Sequence, residues 1–89
     1  MKLKIKDGFI MRKIGGKNII VASGEVSQQF NGMININDVG AYLWTLLEKE
    51  ITEDRLVNAI TEKYDVDEEK ASQDVRKFVE KLESSGFLE

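Results

Sequence analysis

The chain has 89 residues, 42% hydrophobic and 33% charged, with a net charge of −3 and neither cysteine nor histidine. That is enough for one domain with a modest core, but it leaves no disulfide framework, no zinc, copper, haem or iron–sulfur ligands of the usual kind, and no Ser-His or Cys-His dyad. Its apolar runs fall well short of the ~20 residues that span a bilayer, and its carboxylates are scattered, so neither an enzyme nor a membrane protein is expected.

In chain order, Met1-Lys2-Leu3-Lys4-Ile5-Lys6 alternates too strictly for the apolar centre of a signal peptide. Residues 1–7 read as a short extended lead-in, broken by Asp7-Gly8. Phe9 to Ile14 predicts a strand. Gly15-Gly16 supplies the positive φ of a tight hairpin turn, and Asn18 to Ala22 is the β-branched returning strand. Ser23-Gly24 ends it. A polar connection, Glu25 to Gly32, follows, with Val26 and Phe30 as anchors. Met33 to Ile36 is the third strand.

The apolar period then changes from two to 3.6. Val39, Tyr42, Leu43, Leu46 and Leu47 share one helix face, with Trp44 on its flank. Asn37 or Asp38 caps this helix, which is expected to end near Lys49-Glu50. Thr52 caps the second helix, whose apolar face is Leu56, Val57, Ile60 and Tyr64. Asp67 caps the third, with Val66 and Ala71 placed as a hydrophobic staple. Ala71, Val75, Phe78, Val79 and Leu82 form its stripe. Gly86 ends it, letting Phe87 and Leu88 fold back onto the last turn. The expected fold is α+β and winged helix-turn-helix-like. A three-stranded antiparallel sheet is followed by three helices, in one domain over residues 1–89 with the sheet at 8–36 and the helices at 38–86.

Charge is unevenly spread. Residues 1–24 hold six basic side chains against Asp7 alone, whereas residues 25–89 hold seven basic and fifteen acidic ones. A basic face on the N-terminal sheet would help steer a partner. On the third helix, Lys70, Arg76, Lys77 and Lys81 alternate with Asp74, Glu80 and Glu83, which reads mainly as a solvated face with i,i+3 and i,i+4 pairs. Gly15-Gly16-Lys17 lacks the context of a phosphate-binding loop. Asp65-Val66-Asp67-Glu68-Glu69 lacks the glycine and spacing of a calcium loop. Trp44, Tyr42 and Phe78 could stack on a base or a cofactor, but at helical spacing they read as core.

The third strand is the most informative element. The hairpin pairs the first two strands, leaving the third with one free edge, and an open edge can accept a peptide as an added strand. Its expected companions are the apolar residues of the third helix, which form the other wall of a groove. Met33 suits such a wall, because a flexible thioether adapts to varied ligands. Two other readings use the same elements. A winged-helix DNA-binding protein would need clustered cations, and the mixed charge of the third helix disfavours it. An oligomerisation module would pair the open edge with itself, giving a symmetric homodimer.

Ile36-Asn37-Asp38-Val39-Gly40-Ala41-Tyr42-Leu43-Trp44-Thr45-Leu46-Leu47 resembles the signature of the PqqD family, Leu-Asn-x-x-(Gly/Ala)-x-x-(Ile/Leu)-Trp-x-Leu-Leu. Thr52 to Val57 resembles the start of the family's second helix. Tyr64 to Asp67 and Asp74 to Leu82 resemble its third helix and entry, and Gly86-Phe87-Leu88 its ending. The resemblance covers roughly residues 8–89. It implies a non-catalytic recognition element of ribosomally made, post-translationally modified peptide pathways, of which pyrroloquinoline quinone synthesis is the founding case. Such an element binds the leader of a precursor peptide as an added strand on the third strand, against the third helix. It presents the peptide to a modifying enzyme, often a radical SAM protein; the length of this chain suggests that the enzyme is a separate one, in the cytoplasm. The expected peptide-binding residues are Phe30 from the connection, Met33, Ile34, Asn35 and Ile36 from the strand, and Val75, Arg76, Lys77, Phe78, Val79 and Lys81 from the third helix. From the residues themselves, Arg76, Lys77 and Lys81 are the candidates to hold acidic leader residues at the rim, and helix phase does not choose which of the three points there. No cofactor, metal, nucleic acid or membrane is implied.

Overall fold

A computed structural model describes residues 2–22 and 34–89. The expectations for the Glu25–Gly32 connection, Phe30 and Met33 lie outside the described residues. The elements are β1 (Lys2–Leu3), β2 (Phe9–Ile14), β3 (Lys17–Ala22), β4 (Ile34–Ile36), α1 (Asp38–Leu47), β5 (Ile51–Thr52), α2 (Glu53–Lys63) and α3 (Glu68–Ser84).

β2, β3 and β4 form an antiparallel sheet in that order. The hairpin turns at Gly15 and Gly16, with φ of 58° and 79°, between the paired Ile14 and Lys17. A two-residue turn of this hand needs positive φ at both positions, which glycine adopts without steric cost. Opposed residues of paired strands share a face. Met11, Ile20 and Ile34 therefore make one row across the inner face, and Lys13, Asn18 and Ile36 the next. Ile20 and Ile36 are buried there. The opposite face carries Ile10, Arg12 and Ile14, all exposed.

The helices are held by the caps their sequences suggest. Of the two candidates for α1, Asn37 is the cap: its Oδ1 accepts from the Gly40 amide at 2.7 Å. Asp38 instead accepts from the side chain of Asn18 at 2.9 Å, tying β3 to the start of α1. Thr52 accepts from the Arg55 amide and Asp67 from the Lys70 amide. Leu43, Trp44 and Leu47 of α1, Leu56 and Ile60 of α2, and Val75 and Leu82 of α3 meet in one core. Trp44 is among its largest buried side chains.

Both ends of the chain are more structured than the sequence pattern indicates. Residues 2–3 are a strand, not a lead-in: Lys2 pairs with Thr52 and Leu3 with Ile51 in a second, two-stranded sheet. α1 ends at Leu47, short of Lys49-Glu50, and the chain becomes β5. Ile5 is buried, donates its amide to the Leu47 carbonyl at 2.9 Å and bridges to Leu88. At the end of α3, the Phe87 amide bonds the Leu82 carbonyl and the Gly86 amide the Glu83 carbonyl, the paired bonds of a Schellman cap. Phe87 then continues beyond the fold-back. Its carbonyl accepts from Lys6, and its ring is fully buried, edge-on to Phe9 at 4.6 Å and to Trp44 at 5.8 Å between centroids.

Candidate functional site

β4 is the terminal strand of its sheet, and no described strand pairs with its outer edge. Beside it lies an open groove of about 570 Å³ between the β4–α1 junction and α3. The strand side is Asn35, Ile36 and Asn37. The floor is apolar, formed by Val39, Gly40 and Leu43 of α1 and Phe78 of α3. The far wall is a row of charged residues on α3: Lys70, Asp74, Lys77 and Lys81.

Each wall follows from local sequence. Asn37 ends the strand by capping α1, so the chain turns from β4 into the helix with no intervening loop. α1 therefore starts against the edge strand. Gly40 lets it come close: a Cβ there would stand 3.0 Å from Phe78 Cε1, 3.2 Å from Asn37 Oδ1 and 3.3 Å from Ile36 Cβ. Hydrogen at this position leaves room for the Phe78 ring, which is only half-buried, to form part of the floor. On α3, positions 70, 74, 77 and 81 are spaced by four, three and four residues and so share one face.

The sequence-derived site residues divide into groups. Asn35, Ile36, Lys77, Phe78 and Lys81 come together around the groove. Ile34 lies in β4, half-buried, outside the groove lining. Val75 and Val79 point into the core, at 0% and 6% exposure. They support the α3 wall from behind and present no free surface. Arg76 projects away from the groove, and its guanidinium pairs with Glu53 of α2 at 3.2 Å. The reading of the charged α3 residues as a web of intrahelical pairs also changes. Lys70–Asp74, at 3.1 Å, is the one such ion pair among the described residues.

Sequence reasoning missed Asn37, Val39, Gly40, Leu43, Lys70 and Asp74 as groove residues. The period of Lys70, Asp74, Lys77 and Lys81 was the available signal. Gly40 was visible inside the α1 run, but its closeness to Phe78 is a tertiary fact. Among the described residues there is no cluster of three or more acidic side chains arranged for a metal ion, and no helix long and apolar enough to cross a membrane.

Comparisons with known proteins bear on the same elements. The structure is similar to that solved as "TbiB1 in Complex with the TbiA(beta) Leader Peptide", with a TM-score of 0.78 and 27% identity over 97% of this chain and 94% of that one. It also resembles "Lasso peptide synthetase B1 complexed with the leader peptide", with a TM-score of 0.76 and 15% identity over 98% of this chain and 96% of that one. The second likeness is one of fold alone. No curated protein sequence matches. The family model for Coenzyme PQQ synthesis protein D (PqqD) matches residues 17–88, from the start of β3 to the C-terminal bridge. That match spans most of the chain, takes in both walls of the groove and agrees with the fold, and the chain belongs to the PqqD family.

Proposed function

We propose that this protein is a non-catalytic peptide chaperone. It binds the leader of a ribosomally made precursor peptide by strand addition to β4 and presents it to a separate modifying enzyme in the cytoplasm, of the radical SAM class. The observation that carries this reading is the position of the open β4 edge, directly beside an apolar-floored groove. Two proteins of similar fold, TbiB1 and the lasso peptide synthetase B1, are each described as bound to a leader peptide.

The two edges of the sheet differ in a way that favours this choice. β2, the other edge, carries Arg12 and Lys13 in its second half. Charged residues on an edge discourage strand pairing. β4 carries Ile34, Asn35 and Ile36, with no charge. Main-chain hydrogen bonds to an added strand contribute about 0.5–1.5 kcal/mol each net, and ordering a flexible peptide costs a few kcal/mol. The bonds alone therefore give weak binding, and the apolar floor supplies the remainder. Exposed Arg12, Lys13 and Lys17 on the hairpin add a basic surface suited to steering an acidic partner.

The test is a pair of proline variants, Ile34→Pro and Asn35→Pro. Along an antiparallel strand, alternate residues send both backbone groups to the same side. One of the two prolines therefore removes an outward donor, and the other breaks the ladder to β3. The variant that keeps its fold should lose affinity for a precursor leader peptide that the unaltered chain binds. A fully folded proline variant that binds like the unaltered chain would refute strand addition at β4. Salt-sensitive binding to duplex DNA instead of peptide would favour the winged-helix alternative.

A further inference from the structure

Three cations stand on the groove wall of a protein whose net charge is −3. Lys70 is neutralised by Asp74 at 3.1 Å. The ammonium groups of Lys77 and Lys81 pair with no carboxylate among the described residues, although α3 also carries Glu68, Glu69, Glu80 and Glu83. None of those glutamates lines the groove. The groove is thus locally cationic on an acidic chain, and its cations flank an aromatic floor residue, Phe78.

Resting on the strand-addition reading above, we infer that the groove selects a leader segment carrying an apolar and an acidic residue at positions i and i+2. Side chains two apart on a strand share a face and stand about 6.6 Å apart. Phe78 and Lys81 are separated by about 4.5 Å along the helix axis, and the lysine stem spans the difference. The apolar residue covers Phe78, and the carboxylate meets Lys81, or Lys77 when the order is reversed. Lys81 lies in the last turn of α3. The stretch from 70 to 81 is about 16 Å long, which matches about five residues of extended peptide. Lys70 with Asp74 closes one end as a neutral pair, so selection by charge falls on the other end. Arg76, turned toward Glu53, takes no part.

The probes are two synthetic peptides of about ten residues. In the first, leucine and glutamate alternate at every second position with serine or threonine between them; in the second, glutamine replaces every glutamate. Each is titrated into the isotope-labelled chain at low and high salt, following the amides of residues 34–43 and 70–81. The acidic peptide should shift these amides and bind at least about threefold tighter than the amide peptide at low salt, the scale of one or two exposed ion pairs. High salt should erase most of the difference. In a Lys77→Gln, Lys81→Gln variant, which keeps helix propensity and should melt close to the unaltered chain, the preference should vanish. Equal binding of both peptides at these amides would overturn the charge selection and leave strand addition standing. Survival of the preference in the double variant would overturn the role of the two lysines. Shifts confined to β2 and β3, or no binding by the acidic peptide, would overturn the inference; the former would also count against strand addition at β4.

Discussion

Gly40 and Phe78 meet so closely that a single methyl group on Gly40 would stand 3.0 Å from the Phe78 ring. One residue lies in the first turn of the helix that follows the edge strand, and the other lies past the middle of the last helix. Their approach brings α1 and α3 together at the groove floor.

Gly40→Ala therefore sets two effects against each other. Alanine gains up to about 1 kcal/mol of helix propensity over glycine. Overpacking typically costs about 1–3 kcal/mol, and here the added methyl presses on the ring, the capping Asn37 oxygen and Ile36 at once. The ring can swing outward, but the cap and strand cannot follow easily. The variant should be less stable by about 1 kcal/mol and should bind leader peptide more weakly, because the displaced ring fills the groove. Denaturant unfolding and a peptide titration check the two parts separately.

Trp44→Ala should cost about 3–5 kcal/mol. The indole is 1% exposed and edge-on to Phe87. A loss of that size can unfold a domain whose total stability is about 5–15 kcal/mol. Trp44→Phe should be much milder. A melting temperature unchanged in the alanine variant would mean that the ring is not part of the core.

Phe87→Ala should be about as damaging, at about 3–5 kcal/mol, although only Leu88 and Glu89 follow it in the sequence. Its ring is fully buried between Phe9 and Trp44, and its backbone holds Lys6 and the Schellman cap. Leu88→Ala, at a half-buried position, should cost less. Comparing the two by chemical denaturation separates burial from mere position in the chain.

The parts legible in the sequence were those with local causes. Asn37, Thr52 and Asp67 cap helices because their side-chain oxygens reach free amides a few residues on, and Gly15-Gly16 turns because glycine takes positive φ at both positions without steric cost. The period change at Asn37 located the helices. What was not legible depended on distant partners. The alternation from Lys2 to Lys6 marked an extended segment but no partner for it, and β5 is only two residues long; the two pair because Leu3 meets Ile51 across the fold. Arg76 and Lys77 are neighbours on a helix, about 100° apart, so only tertiary packing assigns one to Glu53 and the other to the groove. Val75 and Val79 were correctly read as apolar stripe, but that stripe is consumed by the core, leaving Phe78 as its groove-facing member.

Arg76→Ala should leave peptide affinity unchanged. It removes a largely exposed ion pair to Glu53, worth no more than about 1 kcal/mol after screening by solvent. A clear loss of peptide binding in this variant, with stability intact, would return Arg76 to the binding surface.

Strand addition at β4 is tested most directly by isotope-filtered nuclear Overhauser contacts between the labelled chain and unlabelled leader peptide. Close backbone contacts from consecutive peptide residues to Ile34, Asn35 and Ile36, with side-chain contacts from alternate residues to Phe78, are the predicted result. Backbone contacts to β2 in their place, or peptide contacts to α3 with none to β4, would contradict it.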